Sequence, residues 1–359
     1  MHDGSLDTIR RFLAGKTETF ACYRLPDETD ATLLAGKPET VEEICGRGFA
    51  IAPFCRTEGC PTVMIRPERM AVCRLSADEQ PFVAEICPEN RPEERKAYAA
   101  GFEKCKQALA SGKLKKVVYA RRHVISLPAS GKDALCAGFL RACRLYPRNY
   151  VALWCTPQTG TWLTASPELL VRTTEKDART SGATMALAGT LGATDGQLPA
   201  PGAWDEKNRA EQHLVTQYIM ERLADCCTDI QAVGPRPMRS GNVVHLCTSV
   251  SFRYGKADAG VIARRLHPTP AICGFPSAEA AAVLAEAENG PRRYYAGYSG
   301  PCGICDGQTH LYVSLRCLEA ESTQATLYAG GGLLPESTET AEWEETQKKL
   351  AAILTVVGI

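Results

Sequence analysis

The sequence predicts an α+β fold, with antiparallel strands and long helices set around them. Three observations carry this. Tyr150–Cys155 and Thr161–Ala165 are apolar, β-rich runs on either side of a turn, the pattern of an antiparallel hairpin. His310–Leu318 alternates with period two: Leu311, Val313, Leu315 and Cys317 share one face, Tyr312, Ser314 and Arg316 the other. Long helical stretches interrupt the strands without βαβ regularity and without a GxGxxG, which argues against a doubly wound parallel sheet.

Composition narrows the function. The chain has 359 residues, enough for one large domain or two ordinary ones. With 41 basic and 41 acidic side chains it carries no formal net charge, so it has no basic excess for nucleic acid or a membrane surface. The first residues are charged throughout and no apolar run approaches the ~20 residues of a membrane helix, so a cytoplasmic protein is expected. Seventeen cysteines, an odd number, sit mostly in apolar runs and read as buried free thiols. Cys302 and Cys305 have CxxC spacing, but no second CxxC stands at zinc spacing.

Residues 1–90 read as strands and turns of an N-terminal portion with no motif that carries chemistry, and Cys87–Arg95 as a connection. A helix starts near Pro92, buries Tyr98, Phe102, Cys105 and Leu109, and ends at Gly112. Lys116–Arg121 is a strand with Lys116, Val118 and Ala120 on one face; a lysine at such a start is ordinarily solvated. Asp133–Tyr146 is a helix. Pro167 stops the second hairpin strand and leaves Glu168 either as an exposed turn residue or as a loop acid facing a cleft. Asp205–Cys226 is a long helix with a Leu214, Val215, Tyr218, Ile219 and Leu223 stripe. Glu211 points inward there, which demands a partner: Lys207 one turn back, or a metal ion.

Val243–Tyr254 is a strand with His245, Cys247 and Ser249 on one face. Leu266–Pro276 is a structured loop threading its prolines around Ala271 and Ile272, and Ser277–Glu288 is a helix. Arg316, on the polar face of its strand, is a natural fork for a carboxylate. The chain then enters Gly330, Gly331 and Gly332, and Ser337 or Thr338 caps a helix with Glu342, Glu345 and Lys349 at i, i+3 and i+7. On residues alone this stretch is either a solvated charged face or a glycine floor beneath two carboxylates and an ammonium, suited to a metal ion and an anion.

The order of these segments is more specific than any one of them. KVVYAR, SPELL, ALAGT, KNRAEQ, VVHL, LHPTPAICGFP, YYAGYSG, SLR, LYAGGGLLP and EWEETQKK succeed one another in a chain that resembles the chorismate-utilising enzymes over roughly residues 95–359. The resemblance implies large antiparallel sheets packed back to back, helices outside and one active site, with residues 91–359 as the chorismate-binding catalytic region. Lys116 stands where anthranilate synthases resemble one another in having glutamine, and Ala188 where aminodeoxychorismate synthases carry lysine. Both point to isochorismate synthase, an isomerase at the first step toward menaquinone or a catecholate siderophore, with salicylate synthase as the alternative. Gly331 replaces the usual alanine, and Gly303-Ile304 stands where an aromatic often follows glycine.

What the resemblance implies for the site follows residue by residue. Lys116 is the base that activates water and Glu168 the acid that protonates the departing hydroxyl, which requires a neutral lysine and a protonated glutamate. Glu211 and Glu345 hold Mg2+, with Glu342 acting through water. Arg316 grips the enolpyruvyl carboxylate, with Lys349, Tyr295 and the Gly330 backbone completing its cradle. His245 lies near the ring face beside Ala271 and Ile272, and Thr190 near the departing hydroxyl. Chorismate is the partner implied; a monomer without a glutamine amidotransferase subunit is expected.

Overall fold

Strands dominate the computed structural model, which describes residues 4–14, 18–75, 86–127, 131–176, 179–192, 198–240, 243–255 and 258–358. In chain order the elements are α1 (Gly4–Leu13), β1 (Phe20–Arg24), β2 (Asp30–Thr40), β3 (Gly48–Ala52), β4 (Val63–Arg74), α2 (Pro92–Ala110), β5 (Lys116–Ser126), α3 (Gly131–Leu145), β6 (Tyr150–Thr156), β7 (Gly160–Ser166), β8 (Leu169–Lys176), β9 (Arg179–Gly192), α4 (Glu206–Ala224), β10 (Cys227–Ser240), β11 (Val243–Tyr254), α5 (Ala259–Leu266), β12 (Gly274–Phe275), α6 (Ser277–Ala287), β13 (Tyr298–Cys305), β14 (Gln308–Val313), β15 (Cys317–Ala320), β16 (Gln324–Leu333) and α7 (Glu339–Val357).

Among the described residues the strands form one antiparallel sheet of 16, in the order β10-β11-β9-β8-β14-β13-β3-β4-β2-β1-β6-β7-β15-β16-β5-β12. The two layers expected back to back are therefore one hydrogen-bonded sheet that doubles over. Tyr150 of β6 stacks on Tyr312 of β14 with ring centroids 4.5 Å apart, although five strands separate them in hydrogen-bonding order. Trp154, Trp162, Phe49 and Val171 share the same buried cluster between the layers. On the opposite face, Phe20, Cys22, Val151 and Leu153 pack under α1, α3 and α7.

Local sequence explains the helices. Pro92 opens α2 with Glu93 and Glu94 in its first turn, and Tyr98, Phe102, Cys105 and Leu109 are all buried. Asp205 caps α4 by accepting from Asn208 N at 2.8 Å. Thr338 is the N-cap residue of α7 but makes no side-chain capping bond. Ser337 Oγ instead accepts from Leu334 N and donates to Glu342 Oε1 at 2.8 Å.

Two expectations need correction. Residues 1–90 contain the helix α1 as well as strands; Ile9, Phe12 and Leu13 bury its apolar side. His310–Leu318 is not one strand. It breaks at Ser314–Arg316, where Arg316 takes φ 46°, because β14 pairs with β13 and β8 whereas β15 pairs with β16 and β7. The break carries the chain from one layer to the other, and alternation alone could not reveal it. All seventeen cysteines are free thiols, most of them buried. No helix of the described residues is long and apolar enough to cross a membrane.

Candidate active site

A cavity of about 320 Å³ opens between the layers beside α4 and α7. Its wall includes Glu168, Thr190, Glu211, His245, Ala271, Ile272, Tyr295, Arg316, Gly330, Glu345 and Lys349. Lys116 and Glu342 stand directly behind the wall: Lys116 lies against Glu211, and Glu342 against Lys207. Thirteen residues dispersed from 116 to 349 in the sequence are thus drawn to one place.

Lys116 is not solvated; its side chain is 0 % exposed. Its Nζ lies 2.8 Å from Glu211 Oε1, without the alignment of a hydrogen bond. This pairing replaces the Lys207–Glu211 contact expected along the helix, since Lys207 reaches across to Glu342 Oε1 at 3.1 Å. The glycine floor makes the approach possible. A Cβ at Gly332 would fall 2.6 Å from Glu211 Oε1 and 3.1 Å from Lys116 Cε. One at Gly331 would fall 2.7 Å from Glu342 Oε2, and one at Gly330 would fall 2.9 Å from the Tyr295 hydroxyl. Tyr295 itself stacks on Tyr328 at 5.2 Å.

Glu168 is the cleft acid, not an exposed turn residue; it is 4 % exposed. The Glu168 backbone is held by Val313 N donating to its carbonyl at 3.0 Å and by its own N–H donating to Ser166 Oγ at 3.2 Å. Burial pushes its pKa up to about 8, only partly opposed by the Lys116 charge.

The other carboxylates differ. For Glu345, burial works to raise the pKa but Lys349 outweighs it and the net shift is downward. Lys349 Nζ donates to Glu345 Oε1 and to the Gly330 carbonyl, each at 2.7 Å. Glu342 is pushed up by burial and by Glu345, against Lys207. Its Oε2 is buried without a hydrogen-bond partner. Among the described residues no three acidic, histidine or cysteine side chains are already gathered at metal spacing. The carboxylates of Glu211, Glu342 and Glu345 nevertheless offer the hard oxygen donors that Mg2+ takes, and the orphaned Glu342 oxygen is one that an ion or its water would satisfy.

Arg316 donates to Ser240 Oγ, and burial draws its pKa down to about 10, so it stays cationic at neutral pH. Its left-handed backbone turns the guanidinium to the cavity instead of leaving it on a strand face. His245 Nδ1 lies 3.1 Å from Gly189 O and 3.2 Å from Thr190 Oγ1. Enclosure lowers its pKa to about 3, with Arg316 and Lys349 adding to the effect, so the ring is neutral. Sequence reasoning passed over Asp205 and Asn208, which also line the cavity; their i, i+3, i+6 spacing with Glu211 was the available signal.

Residues 64–358 match the family described as chorismate binding enzyme. The isochorismate synthase EntC of Escherichia coli is 34% identical over 207 residues, covering 56% of this chain and 52% of that protein. The isochorismate synthase MenF of Escherichia coli is 32% identical over 262 residues, covering 71% of this chain and 59% of that one. The chain thus spans little more than half the length of these curated relatives. The solved structure of Escherichia coli MenF, menaquinone-specific isochorismate synthase, shares the fold with a TM-score of 0.78 over 99% of this chain and 91% of that chain, at 21% identity.

Proposed function

The chain belongs to the chorismate binding enzyme family, and on that premise we propose that it is an isochorismate synthase, converting chorismate to isochorismate. The observation that carries this reading is one cavity lined by the buried Glu168, whose pKa is raised to about 8, with the buried Lys116 directly behind the wall. The isochorismate synthase relatives support it.

In this reaction water adds at C2 of the ring, the double bonds shift, and the C4 hydroxyl leaves with a proton as water, so atoms balance. Lys116 takes the proton from the attacking water as the neutral amine, after its ammonium has released a proton to solvent. Glu168 gives its proton to the departing hydroxyl, which it still holds at neutral pH because its pKa is near 8. Arg316 receives the enolpyruvyl carboxylate as a bidentate fork. Tyr295, Lys349 and the Gly330 carbonyl–ammonium contact shape that end of the cavity. Ala271 and Ile272 pack beside the ring and exclude water from its face. Thr190 and His245 meet the ring hydroxyl. Mg2+, held by Glu211 and Glu345 with Glu342 acting through water, would orient the ring carboxylate and offset its repulsion from the site's own anions.

The test is incubation with chorismate and Mg2+, with separate assays for isochorismate, salicylate and pyruvate. Isochorismate with little pyruvate is the expected result. Stoichiometric salicylate and pyruvate would make the protein a salicylate synthase, and anthranilate from chorismate and ammonia would overturn water as the nucleophile.

A further inference from the structure

Helix α4 brings more than Glu211 to the cavity. Asn208, one turn earlier, is buried and held at both ends of its amide. Its Nδ2 donates to Asp205 Oδ1 at 2.8 Å, and its Oδ1 accepts from Thr190 N at 2.8 Å. That nitrogen belongs to the Gly189–Thr190 peptide, whose carbonyl, Gly189 O, lies 3.1 Å from His245 Nδ1. A carbonyl only accepts, so the neutral His245 ring carries its hydrogen on Nδ1 and keeps Nε2 as the lone-pair nitrogen. One rigid peptide plane is therefore clamped by Asn208 on its N–H and by His245 on its C=O.

The backbone is built for this clamp. His245 pairs with Thr190 and Leu246 with Ala188, so Gly189 is an extra residue in β9, a bulge. Gly189 takes φ +72°, and a Cβ there would fall 3.0 Å from Asn208 O and 3.2 Å from Asn208 Cβ. Glycine supplies both the left-handed conformation and the room for Asn208.

We propose that Asn208, anchored by Asp205, is a positioning residue: by holding the Gly189–Thr190 peptide it fixes the His245 tautomer and the Thr190 hydroxyl that meet the substrate. Thr190 Oγ1 accepts from the shared Nδ1–H and turns its own hydrogen toward the cavity, while Nε2 presents a lone pair beside it. The site thus offers a donor and an acceptor of settled polarity to one hydroxyl-bearing ring. This deepens the isochorismate synthase reading and rests on it for its kinetic arm.

The experiment uses Asn208→Ala, Asn208→Ser and the exchange Asp205→Asn/Asn208→Asp. The exchange keeps a helix cap at 205 and an acceptor for Thr190 N at 208, with the donor now on residue 205. Nitrogen-15 NMR of histidine-labelled protein reads the tautomer, and His245→Gln identifies the His245 signals among the six histidines. The single variants should convert His245 from the Nδ1–H form to a mixture and cut kcat about tenfold or more, with chorismate KM within about threefold. In a Thr190→Ala background the loss from Asn208→Ala should shrink, because both act through one group. The exchange should recover tautomer and kcat together. An unchanged His245 tautomer in both single variants, or an exchange that recovers neither, overturns the proposal. If wild type forms no isochorismate, the functional reading fails alone and the NMR arm still decides the clamp.

Discussion

Two ends of one cavity treat the same side chain in opposite ways. At the α7 end, Glu211, Glu342 and Glu345 each face a lysine: Lys116 at 2.8 Å, Lys207 at 3.1 Å and Lys349 at 2.7 Å. At the other end Glu168 makes no ion pair among the described residues, and burial lifts its pKa to about 8. Glu345, with Lys349 beside it, moves down despite its own burial. Glu342 nevertheless moves up despite Lys207 at 3.1 Å, because Glu345 adds to its burial, so protonation follows from burial, the adjacent cation and the neighbouring anion together. Lys116 links the two ends, as the contact of Glu211 and as a charge that holds Glu168 back.

Breaking that link should have the largest effect. Lys116→Gln is expected to cut isochorismate formation at least about a hundredfold, the scale of a positioned base. Chorismate binding followed by calorimetry should persist. Turnover within a few-fold of wild type would assign water activation to another group.

Glu168→Gln keeps the shape but not the transferable proton, and should lower kcat about 10²–10⁴-fold with little change in KM. In wild type the acid is lost as pH rises through about 8, so kcat should fall on the alkaline side. Stability has the same origin. The folded pKa lies above the ordinary 4.5, so folding takes up a proton between about pH 4.5 and 8, and stability falls as pH rises through that window. The Tm of Glu168→Gln should therefore gain on that of wild type across this range. Parallel Tm curves would show that Glu168 ionises as freely in the fold as outside it.

Glu211→Gln and Glu345→Gln test the paired end. Each should weaken Mg2+ binding about tenfold or more by titration calorimetry, in folded protein, because each removes an anionic oxygen donor. Undiminished Mg2+ affinity in both would remove these residues from the metal site. Gly331→Ala should have the smallest effect. Its methyl would meet Glu342 Oε2 at 2.7 Å, the free end of a side chain that can swing aside. A change in Mg2+ affinity beyond a few-fold would mean that Glu342 has no room to yield.

The contrast between the two ends was only half legible in the sequence. Apolar β-rich runs mark β6 and β7, which are buried on both faces, a helical stripe marks α4, and the i, i+3, i+7 spacing puts Glu342, Glu345 and Lys349 together. The partners were not legible. Lys207 and Glu211 are an ordinary i, i+4 pair on paper, yet Lys207 takes Glu342 from another helix, 135 positions away. Alternation puts Arg316 on a strand face, and the left-handed turn that redirects it depends on which strands lie on either side. Local pattern reports which face of an element is buried; pairing across elements depends on the register of the whole sheet.

That sheet has a spine. Strands β1 to β4 occupy the middle of the hydrogen-bonding order, with β3 joined to β13 on one side and β1 to β6 on the other. They hold no cavity-lining residue, yet they are the hinge plate on which both leaves of the fold hang. A gene cut at residue 91 would leave every proposed catalytic group in place and strip β6 and β13 of a neighbour each, turning interior strands into two raw, apolar edges that invite association with other chains.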